Sequence, residues 1–125
     1  MSIVLTHGYF IEEDEKEQEI MRPYPPLGLL YVSAYLDQHF IDHKVFDSTF
    51  SNEETWKKQI LETQPKLVAF YTNLMTKVRI IQLIKWVRTQ PDLSQTKILL
   101  GGPDVTYNWE NYLKSGADFL VIGEG

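Results

Sequence analysis

The sequence predicts a doubly wound α/β domain: a five-stranded parallel sheet in three layers, strand order 2-1-3-4-5, with the final helix missing. Three observations predict it. Residues 68–71, 98–100 and 119–122 are continuous apolar runs, the pattern of strands buried on both faces of a parallel sheet. Each run stops on small or polar residues: Thr72-Asn73, Gly101-Gly102-Pro103 and Gly123-Glu124-Gly125. Between the runs apolar residues recur at helical spacing, so strands alternate with helices and right-handed crossovers put helices on both faces.

Taken in order, residues 2–5 form a first buried strand ending on a Thr6-His7-Gly8 turn. Residues 11–21 carry six acids and no apolar period, and read as an exposed loop. Pro25-Pro26 opens a helix from about residue 27 to 39, because proline in the first turn lacks only an N–H that has no partner there. Leu29, Val32, Tyr35 and Leu36 form its core face. A second strand covers residues 44–46, with Asp47-Ser48 as its turn. Asn52 caps a helix over residues 53–62, and Glu53 and Glu54 favour its start electrostatically. Trp56 and Ile60 mark its buried side.

Pro65 then separates that helix from the third strand, residues 67–71. The third helix spans about residues 75–89, with Ile80, Ile81, Ile84 and Val87 as its core stripe, and Pro91 ends it. A fourth strand at 97–100, a short helix at about 109–115 stopped by Gly116, and a fifth strand at 119–122 complete the chain. Helices two to four are expected on one sheet face and helix one alone on the other. The uncovered half of that face is expected to form an interface.

Ligands of open α/β sheets sit at the carboxyl edge, at the switch point of the strand order. That edge places the site on residues 7–9 and 72–75, flanked by Gly101-Gly102 and Gly123-Glu124. Small residues there let a large ligand approach the backbone.

Composition removes several classes. The 125 residues suit one domain, and 43% hydrophobic against 23% charged residues is an ordinary globular balance. With no cysteine, disulfides, thiolate nucleophiles and iron–sulfur ligation are impossible within these residues. A net charge of −5, with Lys57-Lys58 the one pair of adjacent cations, excludes a nucleic-acid surface. No apolar stretch spans a bilayer and no signal peptide is visible, so a cytosolic location is expected, without a membrane partner.

Three motifs carry a family resemblance. The stretch Pro25-Pro26-Leu27-Gly28-Leu29 resembles the helix opening of the cobalamin-binding domains at the start of radical S-adenosylmethionine enzymes. Gly101-Gly102-Pro103-Asp104 resembles that family's Gly-Gly-Pro-His turn, and Gly123-Glu124-Gly125 its Gly-Glu-Gly-Glu ending, one residue short. Asp47 after strand two also fits. All three motifs occur in order over nearly the whole chain. The resemblance implies a flavodoxin-like, Rossmann-like fold and cobalamin as cofactor, with residues 1–125 a non-catalytic fragment. It further implies a following radical barrel that holds S-adenosylmethionine and an iron–sulfur cluster on a C-x-x-x-C-x-x-C motif, as the domain's partner. The parent enzyme is then a methyltransferase or a related radical enzyme. Two departures stand out: no Asp-x-His-x-x-Gly follows strand one, and position 104 is Asp where the family often has His. The first implies cobalamin bound without a protein imidazole.

The resemblance assigns cofactor contacts to Tyr9, Pro26, Leu27, Gly28, Asp47, Thr72, Asn73, Leu74, Met75, Gly101, Gly102, Pro103, Gly123 and Glu124. Each has a plainer reading beside it. Gly101-Gly102 either presses against the nucleotide tail or makes a turn at positive φ. Thr72-x-Leu74 has the spacing of the Ser-x-Leu turn of cobalamin domains, where a hydroxyl bonds the base of the tail; Thr72 or Asn73 equally suits a cap on helix three. Pro26-Leu27-Gly28 offers N–H groups to the ligand or simply starts a helix. Asp47 bonds the ligand or its own turn. Gly123-Glu124 closes over the tail, forms a hinge, or is a plain strand exit. His7 reads as a turn residue rather than an axial cobalt ligand, and His39 and His43 as surface residues.

Other functions stay open. A stand-alone corrinoid- or nucleotide-binding regulatory module, dimeric through the uncovered face, fits the same lack of catalytic groups. A phosphotransfer receiver does not, because its acid pair, phosphorylatable Asp and Lys meet Thr6-His7, Thr72-Asn73 and Gly123-Glu124. No G-x-G-x-x-G follows strand one, which argues against a dinucleotide-binding domain.

Overall fold

In the computed structural model, residues 3–7, 27–46, 52–72, 76–102 and 105–122 are described, with side chains from residue 32 onward in the second stretch. The strands are β1 (Ile3–His7), β2 (Lys44–Phe46), β3 (Leu67–Tyr71), β4 (Lys97–Gly101) and β5 (Phe119–Leu120). The helices are α1 (Leu27–Gln38), α2 (Glu53–Thr63), α3 (Lys77–Thr89) and α4 (Val105–Ser115), with a 3-10 turn at Pro91–Leu93. The five strands form one sheet in the order β2-β1-β3-β4-β5, and every adjacent pair is parallel. All strand exits therefore lie on one rim.

Register runs straight across the centre: Val4, Val68 and Ile98 stand side by side, as do Thr6, Phe70 and Leu100. The first apolar row and Phe70 and Leu100 share the face covered by α2, α3 and α4. There they pack with Trp56, Ile60, Ile80, Leu83, Ile84, Val87, Val105 and Tyr112 in one core. Leu83 joins the α3 stripe, and Ile81 lies only partly inside it. On the other face α1 contacts β1, and Leu5 and His7 are buried there.

Burial in β3 and β4 alternates rather than running through. Leu67, Ala69, Tyr71 and Leu99 are only half-buried; among the described residues α1 is the one helix on that face. The expected core face of α1 is also corrected: Val32 and Tyr35 are 46% and 60% exposed. Leu36 turns inward as expected and Ser33 joins it, held there by the His43 ring, Oγ to Nε2 at 2.5 Å.

Asn52 caps α2 as its sequence indicates, its Oδ1 accepting from Thr55 N–H at 2.8 Å. At the other end Gln64 takes the left-handed conformation and its N–H returns to Ile60. The amino rim is stapled by Arg88. It donates to the carbonyls of Gly116 and Thr96, both at 2.8 Å, and pairs with Asp118. Asp118 Oδ2 also accepts from Ile98 N–H at 2.9 Å.

Three boundaries differ from expectation. Thr6 and His7 belong to β1 and are buried, because the β1 ladder continues to His7 opposite Tyr71. Helix α4 begins at Val105 rather than near residue 109: Asn108 has non-helical angles, so the first turn is out of phase with the rest. Strand β5 stops at Leu120, although Val121 N–H still reaches Leu100 at 2.8 Å. The acidic segment 11–21 lies outside the described residues.

Candidate functional site

At the carboxyl rim the exits of β3 and β4 are joined through Thr72. Its backbone N–H donates to the carbonyl of Gly101 at 2.8 Å, and its hydroxyl donates to the same oxygen at 3.1 Å. Thr72 is fully buried. It does not cap α3, whose N-cap is Thr76. With its proton committed to Gly101, the hydroxyl oxygen keeps only acceptor capacity.

The two glycines have different reasons to be glycine. Gly102 has φ +109°, and a Cβ there would lie 2.3 Å from the Thr72 carbonyl oxygen. The turn and the close approach to β3 account for it without a ligand. Gly101 has neither constraint. A Cβ at Gly101 would have, among the described residues, only Val121 Cβ nearby, at 3.9 Å. It points to the α1 face, in the row of His7 and Tyr71.

Across the switch point the rim is fuller. His7 is buried in β1 and Tyr71, its partner on β3, is half-buried, both on the α1 face. Among the described residues, the position in this row without a side chain is Gly101 on β4.

A second polar cluster was not anticipated. The Trp56 indole N–H donates to Thr6 Oγ1 at 2.8 Å, and Thr6 Oγ1 donates to the Phe46 carbonyl at 3.0 Å. Trp56 also stacks near Phe70 and Trp86, with centroids 5.8 and 6.2 Å away. Nothing in the local pattern marks Thr6, because its partners lie 40 and 50 residues away.

Next to the rim, Glu53 at the start of α2 pairs with Lys57 at 2.9 Å and with Arg79 of α3. The Lys57 hydrogen bond, aided by the Arg79 charge, holds the Glu53 carboxyl below its ordinary range against a smaller desolvation cost. His43 is corrected from a surface residue: its side chain is 5% exposed. Its Nδ1–H donates to the Ile41 carbonyl at 3.0 Å, so Nε2 accepts from Ser33. His39 is exposed and lies against Tyr35, 4.4 Å between centroids.

Of the anticipated site residues, the structure brings Thr72, Gly101 and Gly102 together. Leu27 and Gly28 form the first turn of α1. Tyr9, Pro26, Asp47, Asn73, Leu74, Met75, Pro103, Gly123 and Glu124 lie outside the described residues. Among the described residues no cluster of three or more His, Asp or Glu side chains suits a metal ion. No described helix is long and apolar enough to cross a membrane.

Comparison with known proteins agrees with this geometry. A cobalamin-binding protein from Desulfitobacterium hafniense DCB-2 superposes with a TM-score of 0.69 at 15% identity, over 98% of this chain and 53% of that one. The chain thus spans about half the length of that relative. The receiver domain of a DNA-binding response regulator (merR) from Colwellia psychrerythraea 34H gives 0.61 at 14% identity, over 96% and 83%. The Mn(2+)-bound response regulator Rcp1 gives 0.56 at 13%, over 96% and 78%. At these identities the likeness is one of fold. No curated protein matches the sequence. The B12 binding domain family, however, matches residues 19–125, nearly the whole chain with both glycine turns, and the protein belongs to that family.

Proposed function

We propose that this chain holds cobalamin at the carboxyl rim of its sheet and presents it to a radical S-adenosylmethionine domain of the same parent enzyme, a methyltransferase or a related radical enzyme. Family membership over residues 19–125 carries the cofactor assignment. The rim fits the group. Among the described residues, only Val121 Cβ lies near the place where a Gly101 side chain would stand between β3 and β5. Thr72, buried beside it, ties the exits of β3 and β4 together. Gly102 shapes the turn that keeps both in place. Bound cobalamin would supply methyl transfer to a substrate radical; this chain's residues bind and orient it.

The radical parent rests on the order of Pro25-Pro26-Leu27-Gly28, Gly101-Gly102-Pro103 and Gly123-Glu124-Gly125 in the sequence. Buried His7, inside a strand rather than on a turn, suits a cofactor held without an imidazole from this strand. The half-open α1 face supports an interface there, with Phe119, in the row of Leu99, 53% exposed.

The test is titration of the purified chain with hydroxocobalamin, followed by visible spectrum and gel filtration. A coloured complex co-eluting with protein at one equivalent is expected. Colour eluting wholly with small molecules would remove the cofactor assignment. The parent assignment is tested separately, by whether the coding sequence beyond residue 125 encodes a C-x-x-x-C-x-x-C motif.

A further inference from the structure

Two threonines brace the rim in the same way, one on each side of the β1–β3 boundary. Thr72, just past β3, donates to the carbonyl of Gly101, the last residue of β4. Thr6, near the end of β1, donates to the carbonyl of Phe46, the last residue of β2. Thr6 is fully buried and faces the α2–α4 side of the sheet. Its oxygen is oriented by the Trp56 indole on α2, the helix that returns from β2. One hydroxyl thus joins two strand exits and the helix that follows them.

Strand β2 needs such a tie. Among the described residues it is three residues long, lies at the sheet edge, and is paired through Val4–Lys44, Leu5–Val45 and Thr6–Phe46. The residues directly beyond Phe46 and His7 include Asp47 and Tyr9, both candidate contacts. A binding surface fixed in advance avoids the cost of ordering these exits when ligand arrives.

We propose that Thr6, aligned by Trp56, is a positioning residue for the cobalamin site: it fixes the exits of β1 and β2 against each other and against α2 without touching the cofactor. The inference rests on the cobalamin reading.

The experiment compares hydroxocobalamin affinity and thermal unfolding in four proteins: wild type, Thr6→Val, Thr6→Ser and Thr96→Val. Thr96 is the control. It makes an equivalent buried bond, Oγ1 to the Pro65 carbonyl at 2.7 Å, but at the opposite rim. Thr6→Val is expected to weaken binding about tenfold, as loss of a hydrogen-bonded anchor can, and Thr6→Ser to restore it to within about twofold. Thr96→Val should lose thermal stability comparably yet bind like wild type. If Thr6→Val does not fold, Trp56→Phe, which keeps the ring and drops the N–H, carries the comparison with an expected loss of about threefold. Equal affinity in wild type and the Thr6 or Trp56 variants overturns the positioning role. A wild type that does not bind overturns the cobalamin reading instead.

Discussion

A methyl group at Gly102 would run into the Thr72 carbonyl and force a left-handed residue to carry a Cβ, whereas at Gly101, among the described residues, it would meet only Val121 Cβ at an ordinary 3.9 Å contact. Gly102→Ala is therefore expected to destabilise the fold by about 2 kcal/mol or more, measured by urea unfolding. Gly101→Ala should change stability by less than about 1 kcal/mol and still abolish or strongly weaken hydroxocobalamin binding. If Gly101→Ala binds like wild type, Gly101 is not where the cofactor rests. The Gly-Gly pair was legible in the sequence, but the division of labour was not. Neither residue's neighbours across the sheet can be known before β3 and β4 are paired.

Helix α2 shows the local rules at work and their limit. Asn52 and the two glutamates define its start, and Asn52→Ala should cost about 1 kcal/mol, read from the unfolding midpoint. Glu53 reaches further, linking α2 to α3 through Arg79. Because its folded carboxyl is held below the ordinary range, its contribution is present above the unfolded glutamate value and fades as pH falls through the lowered folded value. Being partly exposed, the pair should give about 1 kcal/mol or less, reduced by salt. Glu53→Gln should flatten that part of the acid limb. An unchanged pH profile in the variant would show that the pair adds nothing. The early start of α4 escaped the periodicity because a kink at Asn108 puts its first turn out of phase, and the inward Ser33 on α1 did so because its partner, His43, lies ten residues on.

At the scale of the whole molecule the sheet separates the rim proposed to hold cobalamin from the rim stapled by Arg88. Arg88 joins Thr96, Gly116 and Asp118 at the amino rim. Arg88→Ala should lower the melting temperature by several degrees, about 1–3 kcal/mol, and leave hydroxocobalamin affinity within about twofold of wild type. A parallel loss of affinity would mean that the two rims are coupled. Saturating cobalamin, at about 100 times its dissociation constant, should in turn stabilise wild type by about 2.7 kcal/mol.

The sequence by itself determined the alternation of strand and helix, the strand order, the Asn52 cap and the Gly101-Gly102 turn. All of these follow from hydrophobic period, backbone preference and the handedness of crossovers, which act over a few residues or apply to every such fold. Only the tertiary structure decided that Thr6 clasps Phe46 and Trp56, that Thr72 spends its proton on Gly101, and that His43 is buried. It also decided that α1 leaves Val32 and Tyr35 in solvent. These depend on which distant residues meet across strands and layers, and a polar side chain's role is set by the partner it finds there.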